Sequence, residues 1–286
     1  MAVYEHAYSP YTGPLTPRWS RFAIIPRHAI RDVFRSKLLM VVFAVSFVYP
    51  LVAAILIYLH HNANALSILE LPIKELLPID TAFFRNYVWT QAKFGFLITL
   101  FVGPTLISGD LANNGLPLYL ARPFTRLEYV AGKLTVVAAL LSAVTWIPGL
   151  LLIGLQSYLE GGSWLAHHLP IVLGVFAGSW MWILVLSMLS LAVSAFVKWA
   201  MAARAALFGI MIVPSALAAV INQLFQTRWG SIVDPNSCLY SILVALFGSD
   251  ARVDIPAAAA FVSIVLLLTV CAGALALKIK AYEVIR

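Results

Sequence analysis

Residues 110–133 read DLANNGLPLYLARPFTRLEYVAGK. This stretch is polar, punctuated by glycine and proline, and carries Arg122, Arg126 and Lys133 against Asp110 and Glu128. Long apolar runs flank it on both sides. The chain as a whole is 62% hydrophobic and 11% charged, with a mean hydropathy of +0.92. A soluble domain is nearer half apolar and a quarter charged, so water is not the main solvent of this chain.

A helix needs roughly 17–25 apolar residues to cross a bilayer. Six segments qualify, at about 38–59, 87–109, 134–159, 169–197, 205–227 and 255–277. Five of them are uncharged. The second holds only Lys93, close to one end, where a long side chain reaches the headgroups. Backbone groups in lipid must bond within their own segment, and no apolar/polar alternation is visible, so these are helices and not barrel strands. The expected fold is therefore all-α and polytopic. An arm with an interfacial helix occupies 1–37, and a six-helix transmembrane domain occupies 38–286.

Charge sets the orientation. Arg18, Arg21, Arg27, Arg31, Arg35 and Lys37 precede the first span. Arg122, Arg126 and Lys133 follow the second, Lys198 and Arg204 the fourth, and Lys278, Lys280 and Arg286 the sixth. The opposite side keeps only Lys74, Arg85, Lys93, Arg228 and Arg252. The positive-inside rule places both termini and the 110–133 loop in the cytoplasm, in a cell inner or plasma membrane. The net charge of +7 then reflects topology and anionic headgroups. With basic residues scattered over four segments, no nucleic-acid partner is expected. The polar leader is too long for a cleavable signal peptide, so the first span is expected to act as the insertion signal.

From 24 to 38 the pattern is helical and amphipathic. Ile30, Val33, Phe34 and Leu38 share one face, and Arg27, Arg31 and Arg35 recur on another. Such a helix lies in the interface plane, or else extends the first span into the cytoplasm. Residues 66–77 suggest a short surface helix in an outer loop. Residues 238–247 are apolar but too short to span, which fits a re-entrant or interfacial helix. Cys238, in that outer loop, and Cys271, in the last span, are expected as isolated apolar residues and not as a disulfide.

The loop has the composition of a rigid contact element. Asn113, Asn114 and Gly115 can form a turn and cap a short helix. Pro117 suits a helix's first turn, where its missing N–H costs nothing. Leu118, Tyr119 and Leu120 offer an apolar ridge that fits a groove on a partner. Pro123 ends the helix and pushes Arg122 toward extended backbone. Arg122 and Arg126 can hold carboxylates or phosphates, on a partner or on lipid, and Asp110 or Glu128 can instead bond an arginine within the loop. Gly132 and Lys133 sit where the third span enters the membrane.

The order Asp110, Asn113, Asn114, Gly115, Leu116, Pro117, Leu118, Tyr119, Arg122-Pro123, Arg126, Tyr129, Gly132-Lys133 resembles the loop between the second and third membrane helices of type-2 ATP-binding-cassette (ABC) exporter permeases. The chain departs from that family in its two asparagines, where many members have an acidic pair with Gly-Thr. The resemblance implies the type-2 permease fold and makes this loop the coupling helix that docks on the ATPase. It also implies an interfacial helix before the first span, carrying Arg27, Arg31 and Arg35, and short re-entrant helices between the last two spans. The partners implied are cytoplasmic ATPase subunits and a second permease subunit, identical or related. ATP and magnesium would be bound by the ATPase and not by this chain.

The chain has no G-x-x-x-x-G-K-[ST] loop, no H-E-x-x-H and no G-x-S-x-G. It is therefore expected not to be an enzyme by itself, with no catalytic residues, no bound cofactor and no metal. The pairs His60-His61 and His167-His168 fall on the outer face and are expected as polar residues at helix ends. Gly174 and Gly178, four apart in the fourth span, permit close helix contact within the subunit or across a dimer. Two rivals to an exporter subunit stand: a membrane-embedded enzyme acting on lipid or peptide, and an ATP-independent carrier or channel. Neither finds its expected signal, since no facing polar set appears and a coupled carrier usually keeps an ionisable residue at mid-membrane.

Overall fold

The computed structural model describes residues 24–62, 78–113, 125–249 and 251–279. The expected surface helix at 66–77, the leader before residue 24 and loop residues 114–124 lie outside them. Among the described residues every regular element is helical. Six helical stretches are long and apolar enough to cross a membrane: Lys37–His61, Thr81–Asp110, Arg126–Glu160, Leu169–Phe196, Ala200–Leu224 and Ala257–Lys278.

The chain opens with α1 (Ile24–Val33), whose apolar side packs on the start of α5 (Arg126–Val144). Ile25 is buried there, while Arg27, Arg31 and Arg35 remain exposed. Phe34 leaves the packed face and meets Phe43 edge-on at 5.2 Å. The first span is two helices, α2 (Lys37–Ser46) and α3 (Val48–His61). The second is a single helix, α4 (Thr81–Ala112), which begins six residues before the apolar run does. The third span is again two helices, α5 and α6 (Trp146–Glu160), and a short helix α7 (Ser163–His167) leads on to the fourth.

Both broken spans are interrupted in the same way. Pro50 and Pro148 are each the third residue of the second helix. Proline has no N–H for the carbonyl four residues back, so Pro50 releases the Ser46 carbonyl and Pro148 the Val144 carbonyl. The Ser46 carbonyl accepts from Gln91 Nε2 at 3.1 Å. At the other break the next carbonyl, that of Thr145, accepts from both the Gly149 amide at 3.1 Å and the Tyr87 hydroxyl at 2.9 Å. Tyr87 and Gln91 lie one turn apart on α4 and are 1% and 0% exposed, so one face of α4 bonds to both breaks. Gln91→Leu is expected to leave the Ser46 carbonyl buried and unbonded. The expected cost is about 1–3 kcal/mol, read as a lowered thermal midpoint in detergent.

The centre of the fold is α4 against α8 (Leu169–Phe196). Pro104 lies inside α4, and the region is bridged by Ser194 of α8. The Ser194 hydroxyl accepts from the amides of Ile107 (3.0 Å) and Ser108 (2.8 Å) and donates to the Pro104 carbonyl (2.8 Å). One turn away, Gly103 allows the close approach. A Cβ placed there would sit 2.5 Å from the Ser190 Cβ.

The outer layer is α3, α9 (Ala200–Leu224) and α11 (Ala257–Lys278), which bury far less of their length than the three central spans do. Between α9 and α11 the chain forms a 3-10 turn (Trp229–Val233) and a short helix α10 (Pro235–Leu246). Asp234 caps α10 and reaches Ser215 of α9, while Asn236 Nδ2 donates to the Met211 carbonyl at 2.8 Å. Those contacts lie nine to thirteen residues before α9 ends at Leu224, or about 14–20 Å along its axis. The segment thus dips well into the bundle, as the apolar run at 238–247 led us to expect. It docks on the two glycines of α8, Gly174 against Phe247 and Gly178 against Leu243. The small-residue pair accordingly serves a contact within the chain. Cys238 and Cys271 are both free and buried.

Candidate functional site

The two ends of the 110–133 loop meet. Asp110 lies in the last turns of α4, and Tyr129 and Lys133 lie in the first two turns of α5. The Tyr129 hydroxyl donates to Asp110 Oδ2 at 2.7 Å. Lys133 Nζ pairs with the same oxygen at 2.8 Å and sits 5.6 Å from the Tyr129 ring centre. Side-chain exposure is 8% for Lys133 and 19% for Asp110, and Tyr129 is fully buried. A charge-assisted bond in so dry a place is among the stronger polar contacts available to a protein.

Local chemistry brings these groups into register. Asn113 ends α4, its backbone N–H and its side-chain Nδ2 both donating to the Gly109 carbonyl at 3.1 and 3.0 Å. Thr125 begins α5 through a capping box. Its hydroxyl accepts from the Glu128 amide at 3.2 Å, and Glu128 Oε2 accepts from the Thr125 amide at 2.7 Å. Among the described residues, Asp110 bonds Lys133 and Tyr129, Glu128 caps a helix, and Arg126 is exposed at the helix start. Gly132 is buried beside Lys133, on the packed side of α5.

Among the residues singled out in the sequence, the structure unites Asp110 with Lys133 and places Asn113 and Arg126 at the two edges of the loop. Asn114, Gly115, Leu116, Pro117, Leu118, Tyr119, Arg122 and Pro123 lie outside the described residues. Tyr129 belongs to the loop's wording but is given no role by it. The signal for one is its spacing, since it precedes Lys133 by four and so shares its helix face.

Two other polar groupings have structural roles. Asp234 is 4% exposed and accepts from the Ser215 hydroxyl, the Asn236 amide, and the Ser237 amide and hydroxyl, at 2.6–3.1 Å. These bonds cap α10 and tie it to α9. At the opposite end of the bundle from the clasp, His61 Nε2 lies 2.6 Å from Glu160 Oε2, joining the end of α3 to the end of α6. His167 and His168 turn their Nδ1 atoms to carbonyls one turn back. Among the described residues, no group of three or more His, Cys, Asp or Glu side chains is gathered to hold a metal.

No protein-family model matches this chain, and no curated protein matches it either.

Proposed function

We propose that the chain is the transmembrane permease subunit of an ATP-driven ABC exporter, working with a separate cytoplasmic ATPase and a second permease subunit. The observation that supports this best is the clasp of Asp110, Tyr129 and Lys133 at the base of the 110–133 loop. A loop that transmits a push must not dissipate it in its own hinges. Here the two helices leaving the loop are bonded to each other at its neck, and α4 in turn packs along α8 through the centre of the bundle. Movement of the loop tip is thereby delivered to α4 and α5 together. The loop's wording, its basic flanks and the lack of a phosphate-binding loop in this chain point the same way.

In this reading Leu118 and Tyr119 seat in the ATPase, and Arg122 and Arg126 flank the contact. ATP binding draws the ATPases together, the elbow moves, and the cavity between subunits changes the side it faces. The test is co-purification of the tagged full chain from its native membrane, followed by reconstitution in vesicles. A cassette ATPase is expected to travel with it, and Leu118→Asp with Tyr119→Asp is expected to lower transport-linked ATP hydrolysis at least tenfold while membrane insertion persists. A chain that carries cargo in vesicles without ATP and without such a subunit would overturn the proposal in favour of an independent carrier.

A further inference from the structure

Lys93 lies far along its span, in a chain whose other spans carry no charge in their apolar runs. It is the thirteenth residue of α4, about 18 Å along the axis from Thr81. Hydropathy places it near the end of the second span only because the first turns of α4 contain Thr81, Arg85 and Asn86. Arg85, however, is 9% exposed and turns back to bond Ser249 and Asn86. Lys93 itself is exposed on the chain's surface. Its Nζ hangs 5.8 Å over the Trp89 ring, and among the described residues no carboxylate lies within ion-pair distance.

An ammonium at this depth is costly against hydrocarbon and is tolerated where it meets water, a partner or a ligand. The surroundings of Lys93 are specific. It borders a cavity of about 280 Å³ between α4, α8, α9 and α10, walled by Trp89, Phe96, Trp182, Met211 and Asn236. Trp89 is packed edge-on against Trp182 at 5.6 Å and Tyr240 at 4.8 Å, which fixes the wall. Trp182 is 4% exposed, and its indole N–H has no hydrogen-bond partner among the described residues. A buried donor without an acceptor is costly, and a ligand acceptor that reached it would relieve that cost. Aromatic walls with few polar groups are the usual make-up of small-molecule sites.

The geometry points to a binding site for a compact amphipathic anion, its carboxylate, sulfonate or phosphate held by Lys93 and its apolar body set among Trp89, Phe96 and Trp182. Within the exporter reading this would be the cargo's class, but the binding itself rests only on this cavity. The same chemistry is offered by a soluble aromatic acid and by an anionic lipid entering from the bilayer. Lys93 selects charge, and the aromatic walls, together with Asn236 of α10, limit size.

The experiment uses the full chain in phosphatidylcholine nanodiscs, with no ATPase and no ATP, so its outcome is independent of coupling. Naphthalene-1-acetate and its neutral analogue naphthalene-1-ethanol are titrated calorimetrically. The acid is expected to bind at least tenfold more tightly than the alcohol, as a hydrogen bond to a charged partner implies. Lys93→Met is expected to abolish that preference and leave alcohol binding unchanged, while Lys93→Arg retains it. Added phosphatidylglycerol is expected to weaken acid binding to the wild type if lipid is the natural occupant, and to leave it unchanged if a soluble acid is. Equal affinity of the wild-type chain for acid and alcohol, which needs no variant, would overturn the site. So would Lys93→Met that keeps the preference.

Discussion

Lys133→Met is expected to destabilise the chain by about 2–3 kcal/mol, the cost of leaving the largely buried Asp110 carboxylate with one neutral donor in place of an ammonium. The carboxylate would keep the Tyr129 hydroxyl but lose its counter-charge. Asp110→Lys should cost more, because it sets two ammonium groups against each other at the loop's neck. Asp110→Lys combined with Lys133→Asp restores opposite charges on the same two helices and is expected to recover at least half of the loss. Thermal unfolding of the wild type, Asp110→Lys, Lys133→Asp and the double reversal in one detergent gives the double-mutant cycle. A double reversal no better than the sum of the two single changes would show that the contact contributes no pairwise energy. In the exporter reading the same series has a second readout: the single variants should spend more ATP per cargo moved, and the double reversal should return toward wild type. Stability and coupling can thus fail separately.

The spans were legible because five of them contain no charge, and nothing but lipid accommodates so many uncharged apolar runs in one chain. Hydropathy and helix part company at α4. Hydropathy starts this helix at Tyr87, whereas it begins at Thr81, since a window average counts Arg85 as solvated when it is in fact folded back on Ser249. That offset concealed the depth of Lys93. The breaks after Ser46 and Val144 had a local signal in Pro50 and Pro148, but a proline does not say that Gln91 will bond the Ser46 carbonyl it releases or that Tyr87 will bond Thr145 at the other break. In the same way, Asp110 and Lys133 are both visible in the loop's wording, yet their bond spans 23 positions and forms only because α4 and α5 fold back side by side. The spacing of Gly174 and Gly178 announced a close contact without naming α10 as its partner. Sequence periodicity reports which face a residue occupies. Partners across space follow from tertiary packing.

Gly103→Ala tests the packing on which the rest depends. A methyl at this position would come 2.5 Å from the Ser190 Cβ and 2.6 Å from its Oγ, closer than side-chain carbons approach, and neither atom is the far end of a flexible chain. Because α4 and α8 form the most extensive helix pair of the fold, the two helices must separate or shift rather than yield locally. Over-packing of this kind costs about 1–3 kcal/mol, and the separation would also lengthen the bonds from Ser194 to the Ile107 and Ser108 amides one turn away. Gly209→Ala on α9 and Gly273→Ala on α11 are the controls, since a Cβ there meets nothing within 4 Å. Removing glycine from an open helical position reduces chain entropy, so these two are expected to be neutral or to stabilise by about 0.5–1 kcal/mol. Ser190→Gly in the Gly103→Ala background removes both clashing atoms. The nearest remaining contact is then Thr99 Cγ2 at 3.3 Å, and most of the stability should return. If Gly103→Ala behaves like the two controls, α4 and α8 are not in the close contact described. The placement of Lys93, Gln91 and Asp110, all carried on α4, would then have to be redrawn.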